Sequence, residues 1–572
     1  MISKDTILRG NKWVIIFIVF FTALAYSNSL QNSFIWDDST VIVNNDFVKS
    51  WNNFPRLFNR SYLTKVSDLD YLGKKDTGSG EFTYRPIGTF TYFLDYSFWK
   101  LNPFGYHFTN LILHMLNALL LFMFINLIVG NEVVAILASL FFALHPVNVE
   151  AVNCISFRKD LLAFLFYILA FIFYIKSRGE EAGRRALFYF SSLVSFCLAL
   201  FSKEMSVTFP ILLLGYDYLL NKRPKDVISH FKRYYLGYLG VLIFYIFIRF
   251  FVMASIDNPL ITYPMRNLYT NILTMLRVLA RYVQWMFFPV NIHSTLPDDP
   301  GLISYSLLNL KVIISVLLII SIVFTTFKLH KKLPLVAFGV FWFFACLIPV
   351  SNIIYPLSNY IAPRYLYLPA VGFCLILALL ISKFSKNIAI AIIIFYAIFT
   401  FTGNFYYKNN IIFWMNMVDK YPTNSLPHST LAAFYVERGL LDEAIKEYKI
   451  AVSLDKNYAE DHNELGKCYF NKRMTAEAIE EFKAALDLDP NFYRAWNNLA
   501  SAVGQNGRYI DAIRYYEKAV ELNKEYPEAY NGLGITYAKM NNYDEARKMW
   551  QKTLTIDPAN QAALYSLKKL PK

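Results

Sequence analysis

Charge is scarce in this chain. Only 17% of its 572 residues are Asp, Glu, Lys or Arg, against about a quarter in an average soluble domain. Cysteine is scarcer still, and none of the five (Cys154, Cys197, Cys346, Cys374, Cys468) pairs with another at metal-ligand or redox spacing. They read as small buried apolar side chains. No stretch interleaves basic residues with aromatics as nucleic-acid readers do, so that partner is set aside. No small-residue cleavage site follows the apolar run from Trp13, so Lys4, Arg9 and Lys12 introduce an uncleaved first helix rather than a leader. The membrane half shows no internal duplication of spans, which argues against a transporter.

What is present is apolar: 56% of the residues, with 18% aromatic. That implies a polytopic membrane protein. Runs long enough to cross a bilayer lie near 13–30, 108–129, 132–149, 160–176, 186–201, 205–220, 234–254, 309–327, 333–351, 365–382 and 388–405, eleven in all. A further run at 272–290 contains Arg277 and Arg281 one turn apart, and reads as interfacial or cavity-lining rather than spanning. With the N-terminus inside, the basic loops 176–185, 221–233, 328–332 and 383–387 all fall on the cytoplasmic face. An odd count then puts the C-terminal tail outside. It also puts the first outside loop, 31–106, on that same face. Within this loop Trp51, Phe54 and Phe58 predict a helix lying on the membrane surface, followed by a flexible Lys74–Gly80 stretch and Tyr84-Arg85-Pro86.

The organisation expected is therefore all-α: a polytopic membrane domain over 1–410, a linker over 411–424, helical repeats over 425–558 and a capping helix and tail over 559–572. The tail from Thr423 carries 20 Lys/Arg against 21 Asp/Glu, so the net charge of +14 belongs to the membrane half. In the repeats a small residue returns every 34 positions at Ala432, Gly466, Ala500 and Gly534. A second recurs at Ala444, Ala478, Ala512 and Ala546, each followed four residues later by Tyr448, Phe482, Tyr516 or Trp550. This is the tetratricopeptide pattern, an α-solenoid of four units. Such arrays bind partners in a groove and carry no chemistry of their own.

Polar groups gather at the outside ends of the apolar runs. Asp37 and Asp38 follow the first, and Arg85 lies later in the same loop. His107, Asn110, His114 and Asn117 stripe one face of the second run. His145 and Glu150 occupy the next outside turn, before Ser156-Phe157-Arg158-Lys159-Asp160. Lys203-Glu204 marks another, and Arg364-Tyr365 opens the tenth run. The bland alternatives are a solvated loop or helix cap for the acidic pair, interfacial anchors for Arg85, Arg158 and Arg364, a local ion pair for Lys203-Glu204 and interhelical hydrogen bonds for the stripe. A second acidic pair, Asp298-Asp299, has proline neighbours and reads as a turn.

Taken in order, Trp-Asp-Asp, Tyr-Arg-Pro, the His/Asn stripe, His-Pro…Glu-Ala-Val, Phe-Arg-Lys-Asp-Leu, Ser-Lys-Glu and Arg-Tyr-Leu-Tyr-Leu-Pro, ahead of tetratricopeptide repeats, make the chain resemble the transmembrane and tetratricopeptide-repeat O-mannosyltransferases. These belong with the protein O-mannosyltransferases in the C-type membrane glycosyltransferase superfamily. The resemblance covers nearly the whole chain, and a Lys/Ile/Asn/Tyr-rich bias fits an AT-rich microbial genome. It implies an inverting enzyme of a microbial plasma or inner membrane. A sugar, mannose by analogy, would pass from a polyprenyl-phosphate carrier to a hydroxyl of a protein on the non-cytoplasmic face. Asp37 or Asp38 would act as base, since an attacking alcohol must lose its proton. Arg85, Arg158, Lys203, Arg364 and His145 would hold the donor phosphate. His107, Asn110, His114, Glu150, Glu204 and Tyr365 would line the substrate cavity. The chemistry requires no cofactor, although a divalent metal bridging carboxylates to phosphate oxygens is compatible with it. The repeats would grip an acceptor protein or an export-machinery partner. The competing reading is a non-enzymatic membrane-anchored scaffold.

Overall fold

The computed structural model describes residues 12–59, 62, 83–179, 181–220, 234–253, 267–292, 301–354, 357 and 359–570. The Lys74–Gly80 stretch and the Asp298-Asp299 pair lie outside them. Two compact units divide at Asn409 and Asn410. Among the described residues every regular element is helical.

The first unit runs α1 (Lys12–Ala25), α2 (Pro86–Trp99), α3 (Pro103–Val129), α4 (Glu132–Leu144), α5 (Val149–Asn153), α6 (Arg158–Gly179), α7 (Ala182–Ser202), α8 (Phe209–Leu219), α9 (Leu236–Met253), α10 (Leu268–Phe287), α11 (Leu310–Leu329), α12 (Pro334–Leu347), α13 (Ala370–Ile381) and α14 (Lys386–Asn404). Asparagine starts several of them. Asn102, Asn131, Asn267 and Asn309 each accept a backbone N–H of the first turn, which satisfies a donor the helix leaves unpaired. Gly130, at φ +68°, ends α3 in the left-handed conformation and lets α4 return after one residue.

Among the described residues five helices are long and apolar enough to cross a bilayer: Pro103–Val129, Ile155–Gly179, Gly183–Ser202, Leu310–Leu329 and Lys386–Tyr407. Glu132–Leu144 and Pro146–Asn153, bent by 48°, make a sixth if counted as one span. Lys12–Ala25, Leu236–Phe251, Pro334–Val350 and Ala370–Ile381 are shorter apolar helices. Every one of the eleven expected runs contains a helix. Polar turns such as 145–153 and Pro363–Leu366 shorten several of them. The core is aromatic. Trp342 packs among Phe124, Tyr167 and Phe171 at ring separations of 5.5–5.8 Å, and its Nε1 donates to the Leu368 carbonyl at 2.9 Å. Beside it α12 and α13 meet backbone to backbone: a Cβ placed on Gly372 would stand 2.1 Å from the Gly339 oxygen.

Two expected features of this unit gain definite partners. Trp51–Phe58 is a 3₁₀ helix with Pro55 inside, and it docks on α2: the Trp51 indole donates to Ser97 Oγ at 2.8 Å and Phe54 meets Phe90. In α10, Arg277 donates to the carbonyls of Gly301 and Leu302 and to Ser304 Oγ, at 2.6–2.8 Å. Its charge therefore addresses a folded segment of the same unit.

The second unit opens with α15 (Asn410–Lys420) where a linker was expected. Phe413, Trp414 and Met417 are buried along one face, so the segment is a packed helix. Four helix pairs follow: α16 (Ser425–Glu437) with α17 (Leu441–Leu454), α18 (Ala459–Asn471) with α19 (Thr475–Leu488), α20 (Tyr493–Gln505) with α21 (Tyr509–Leu522), and α22 (Pro527–Lys539) with α23 (Tyr543–Ile556). The recurring small residues face the recurring aromatics. A Cβ on Gly466 would stand 2.7 Å from the Phe482 ring, and one on Gly534 2.6 Å from Trp550. Helix α24 (Gln561–Lys569) covers the last aromatic with Ala563.

Candidate functional site

The chain turns sharply after α1. Trp36 adopts φ +50°, a left-handed conformation unusual for a bulky side chain, just before the two acids. Asp38 is fully buried: its Oδ1 accepts the Ser156 N–H at 2.7 Å and its Oδ2 the Ile35 N–H at 3.2 Å. It latches the loop to the turn before α6. Burial pushes the Asp38 carboxyl up to about 6, more than these two N–H groups pull it down, and the charge of Asp37 adds to the rise. Asp37 itself stays exposed.

Arg364 lies close enough to Asp37 for the two charges to act on each other. Its backbone N–H and Nη1 donate to the two oxygens of Glu150 at 2.9 and 2.8 Å. Its guanidinium lies 4.1 Å from the Phe157 ring centre, 5.1 Å from that of Tyr365 and 5.9 Å from that of Trp36. Tyr365 carries a second cation, Lys203, with Nζ 5.3 Å from the ring centre. Lys203 is buried and ion-paired to Asp160. Burial, opposed by Asp160 and reinforced by Arg85 and Arg364, lowers its ammonium below the ordinary lysine value. Next in sequence, Glu204 accepts Arg85 in both arms, at 2.9 Å from Nε and 2.6 Å from Nη2. Burial favours protonated Glu204, but Arg85, with Arg249 and Lys203, outweighs it and holds the carboxyl well below the usual range.

The structure thus brings Asp37, Glu150, Arg364, Tyr365, Lys203, Glu204 and Arg85 into one run of ionic and aromatic contacts. Segments from the α1–α2 loop, the turns beside α5 and after α7, and the entry to α13 all contribute. The remaining expected residues lie behind it. Arg158 is fully buried, donating to Asn110 Oδ1 at 2.6 Å, Thr91 Oγ1 at 3.2 Å and the Tyr106 carbonyl at 3.0 Å, and pairing with Asp95 at 2.6 Å. Its guanidinium knits α2, α3 and α6 together. His145 is likewise buried. Its Nδ1 accepts the Val147 N–H at 3.2 Å and its Nε2 meets the Met286 carbonyl at 3.1 Å.

The stripe on α3 joins helices. Asn110 donates to Val152 O at 3.0 Å, His114 meets the Tyr367 hydroxyl at 2.7 Å and the Ala143 carbonyl at 2.9 Å, and Asn117 donates to Leu161 O at 3.0 Å. His107 is buried against the Asn32–Ser33 backbone. Among the described residues no three His, Cys, Asp or Glu side chains gather as a metal set.

Sequence reading missed four things here. Asp160 stood inside a quoted motif without a role, Asp95 lay in the first outside loop without one, and Arg249 lay in a run judged only for its hydropathy. The fourth is an asparagine network. Asn32 donates to Asn153 at 2.8 Å, Asn153 to Asn404 at 2.8 Å, and Asn404 to the Ala25 carbonyl at 2.9 Å. An asparagine after an apolar run was the only signal available for it.

Comparison with known proteins gives two kinds of likeness. Models described as "Tetratricopeptide repeat" match residues 459–492 and 492–559, and one described as "TPR repeat" matches 434–472. Over 78% of its length the chain is 26% identical to a Caenorhabditis elegans protein named Protein O-mannosyl-transferase F38B6.6, covering 63% of that protein. Over 35% of its length it is 32% identical to the human Protein O-mannosyl-transferase TMTC2, covering 23% of it. The chain therefore spans less than two thirds of either relative. Among solved structures, a crystal structure of MamA matches 26% of this chain and 86% of its own at 27% identity, with a TM-score of 0.25.

Proposed function

For a chain homologous to the protein O-mannosyl-transferases, with several membrane-length apolar helices and tetratricopeptide repeats, we propose transfer of a sugar from a polyprenyl-phosphate carrier to a protein hydroxyl on the non-cytoplasmic face. Mannose is the sugar the relatives' names suggest. One observation carries this reading: an exposed carboxylate, Asp37, stands at the edge of a set of fixed cations. The acceptor oxygen attacks the anomeric carbon and its proton passes to Asp37. The bond from that carbon to the phosphate oxygen breaks on the opposite side, so configuration inverts. The carrier phosphate leaves with the bonding electrons, and Arg364, Lys203 and Arg85 stabilise the charge that develops. Glu150, Asp160 and Glu204 hold these cations in place, and Tyr365 spaces two of them. Asp38 orients Asp37 and stays out of the proton transfer. The reaction so written has no step that calls for a metal. The repeats dock the acceptor or a partner that delivers it.

The test is transfer by purified protein in lipid, with polyprenyl-phosphate-linked mannose and a Ser/Thr-containing acceptor. Asp37→Asn should lower kcat by a factor on the order of 10²–10⁴, the usual contribution of a general base, with the melting temperature unchanged. Full activity in Asp37→Asn would remove this carboxylate from the mechanism.

A further inference from the structure

Glu204 serves two arginines unequally. Arg85 occupies both its oxygens, whereas Arg249 comes only to 3.8 Å of Oε2. Arg249 Nη1 donates instead to the Tyr245 hydroxyl, one turn back on α9, at 2.6 Å. Among the described residues the guanidinium makes no other hydrogen bond, so most of its five N–H donors remain available. The neighbouring cations differ: Lys203 has Asp160 at contact and Arg364 has Glu150. Arg249 is the cation of this cluster that no carboxylate has claimed at hydrogen-bond distance.

Its position gives that vacancy a meaning. Helix α9 presents Phe244, Phe247, Phe250 and Phe251 outward, all more than half exposed, and in a bilayer such a face meets hydrocarbon. Arg249 points the other way, toward Glu204 and Arg85, yet keeps 26% of its side chain accessible. It therefore stands at the seam between the lipid-facing surface and the ionic cluster. A polyprenyl-phosphate carrier has the matching constitution, with an isoprenoid tail for the hydrocarbon and an anionic phosphate at its end. A guanidinium offers such a phosphate paired N–H donors.

We propose that Arg249 binds the carrier phosphate, its open N–H edge taking the phosphoryl oxygens while Arg85 stays clamped on Glu204. This deepens the function proposed above and rests on its choice of donor.

The test is binding of undecaprenyl phosphate to the full chain in phosphatidylcholine nanodiscs. Arg249→Gln should bind at least tenfold more weakly than wild type. Arg249→Lys, which keeps the charge and loses the fork, should fall between them. Both should melt, without ligand, at the wild-type temperature. Tyr245→Phe should weaken binding less than Arg249→Gln, because the tether goes and the cation stays. Equal binding by wild type and Arg249→Gln would overturn the proposal, as would absence of binding by wild type. Displacement of the probe by an equimolar amount of phosphatidylglycerol would also overturn it, making Arg249 a general headgroup anchor. Sugar transfer is scored separately: Asp37→Asn should lower transfer by a factor on the order of 10²–10⁴ and still bind the probe, so a failed donor site and a failed reaction give different results.

Discussion

Two adjacent aspartates with the same side chain stand in different surroundings: Asp38 is buried and accepts two backbone N–H groups, and Asp37 is exposed. The residues alone announce a carboxylate pair after an apolar run. They cannot say which of the two is buried, because that depends on the N–H of Ser156, 118 residues from Asp38. The buried latch has a pH signature. Asp38 titrates near 3.8 when unfolded and near 6 in the fold, so between those values the folded state holds a proton that the unfolded state has released. Stability should therefore fall as pH rises from about 4 to about 6, by on the order of 2–3 kcal/mol for this group at about 1.4 kcal/mol per unit. Denaturation of the detergent-solubilised chain across that range should show the slope. Asp38→Asn should remove it, at the cost of a generally weaker fold. The same limit on local reading explains Arg158 and His145: position beside an outside turn suggested ligand contact, while burial, which composition does not reveal, turned both inward.

At the level of the helix, periodicity was a good guide and interruption a poor one. The repeats were legible to the residue, because a 34-residue recurrence of small against large side chains is a packing rule written into the sequence. Helices α2 and α15 were missed. The first is short and rich in aromatics inside what reads as a loop, and the second falls where composition shifts from membrane to solenoid. The glycine contact between α12 and α13 was likewise invisible, since neither Gly339 nor Gly372 sits in a recognisable motif. Gly372→Val should force the two backbones apart at a point where the Gly339 oxygen would meet any Cβ at 2.1 Å. Overpacking of a tight core typically costs about 1–3 kcal/mol, occasionally more, and a lowered melting temperature of the purified chain would report it. The same substitution at Gly240, where a Cβ would have nothing within 4 Å, should leave that temperature within about a degree or two.

For the whole chain, the division into a membrane-embedded unit and a repeat unit was plain from composition, and sidedness rests on loop charge. The charge pattern predicts the repeats outside, on the face that carries Asp37. A cysteine-reactive, membrane-impermeant reagent applied to intact cells should label a cysteine introduced at exposed Asp442 and spare one introduced at Lys331. The reverse labelling would invert the orientation and detach the proposed chemistry from its compartment. The helix lengths explain why a span count was harder to read than a fold class. Polar breaks bend apolar runs, as at residues 145–153, where the axis turns by 48°, and hydropathy averages across them.

Asn404, at the end of α14, donates to the carbonyl of Ala25 at the end of α1, across 379 residues. It also accepts from Asn153, which itself accepts from Asn32, beside the turn that aims Asp37. Of the helices in this unit, the earliest to leave the ribosome is thus tied by the last. A contact of such sequence separation forms late, after the intervening chain has been made and inserted. Asn32, five residues before Asp37, is synthesised near the start of its unit and can gain this tie only near the end. A nascent chain halted before residue 404 would carry every candidate site residue and still lack the closure that arranges them. Maturation is in this sense timed by chain length.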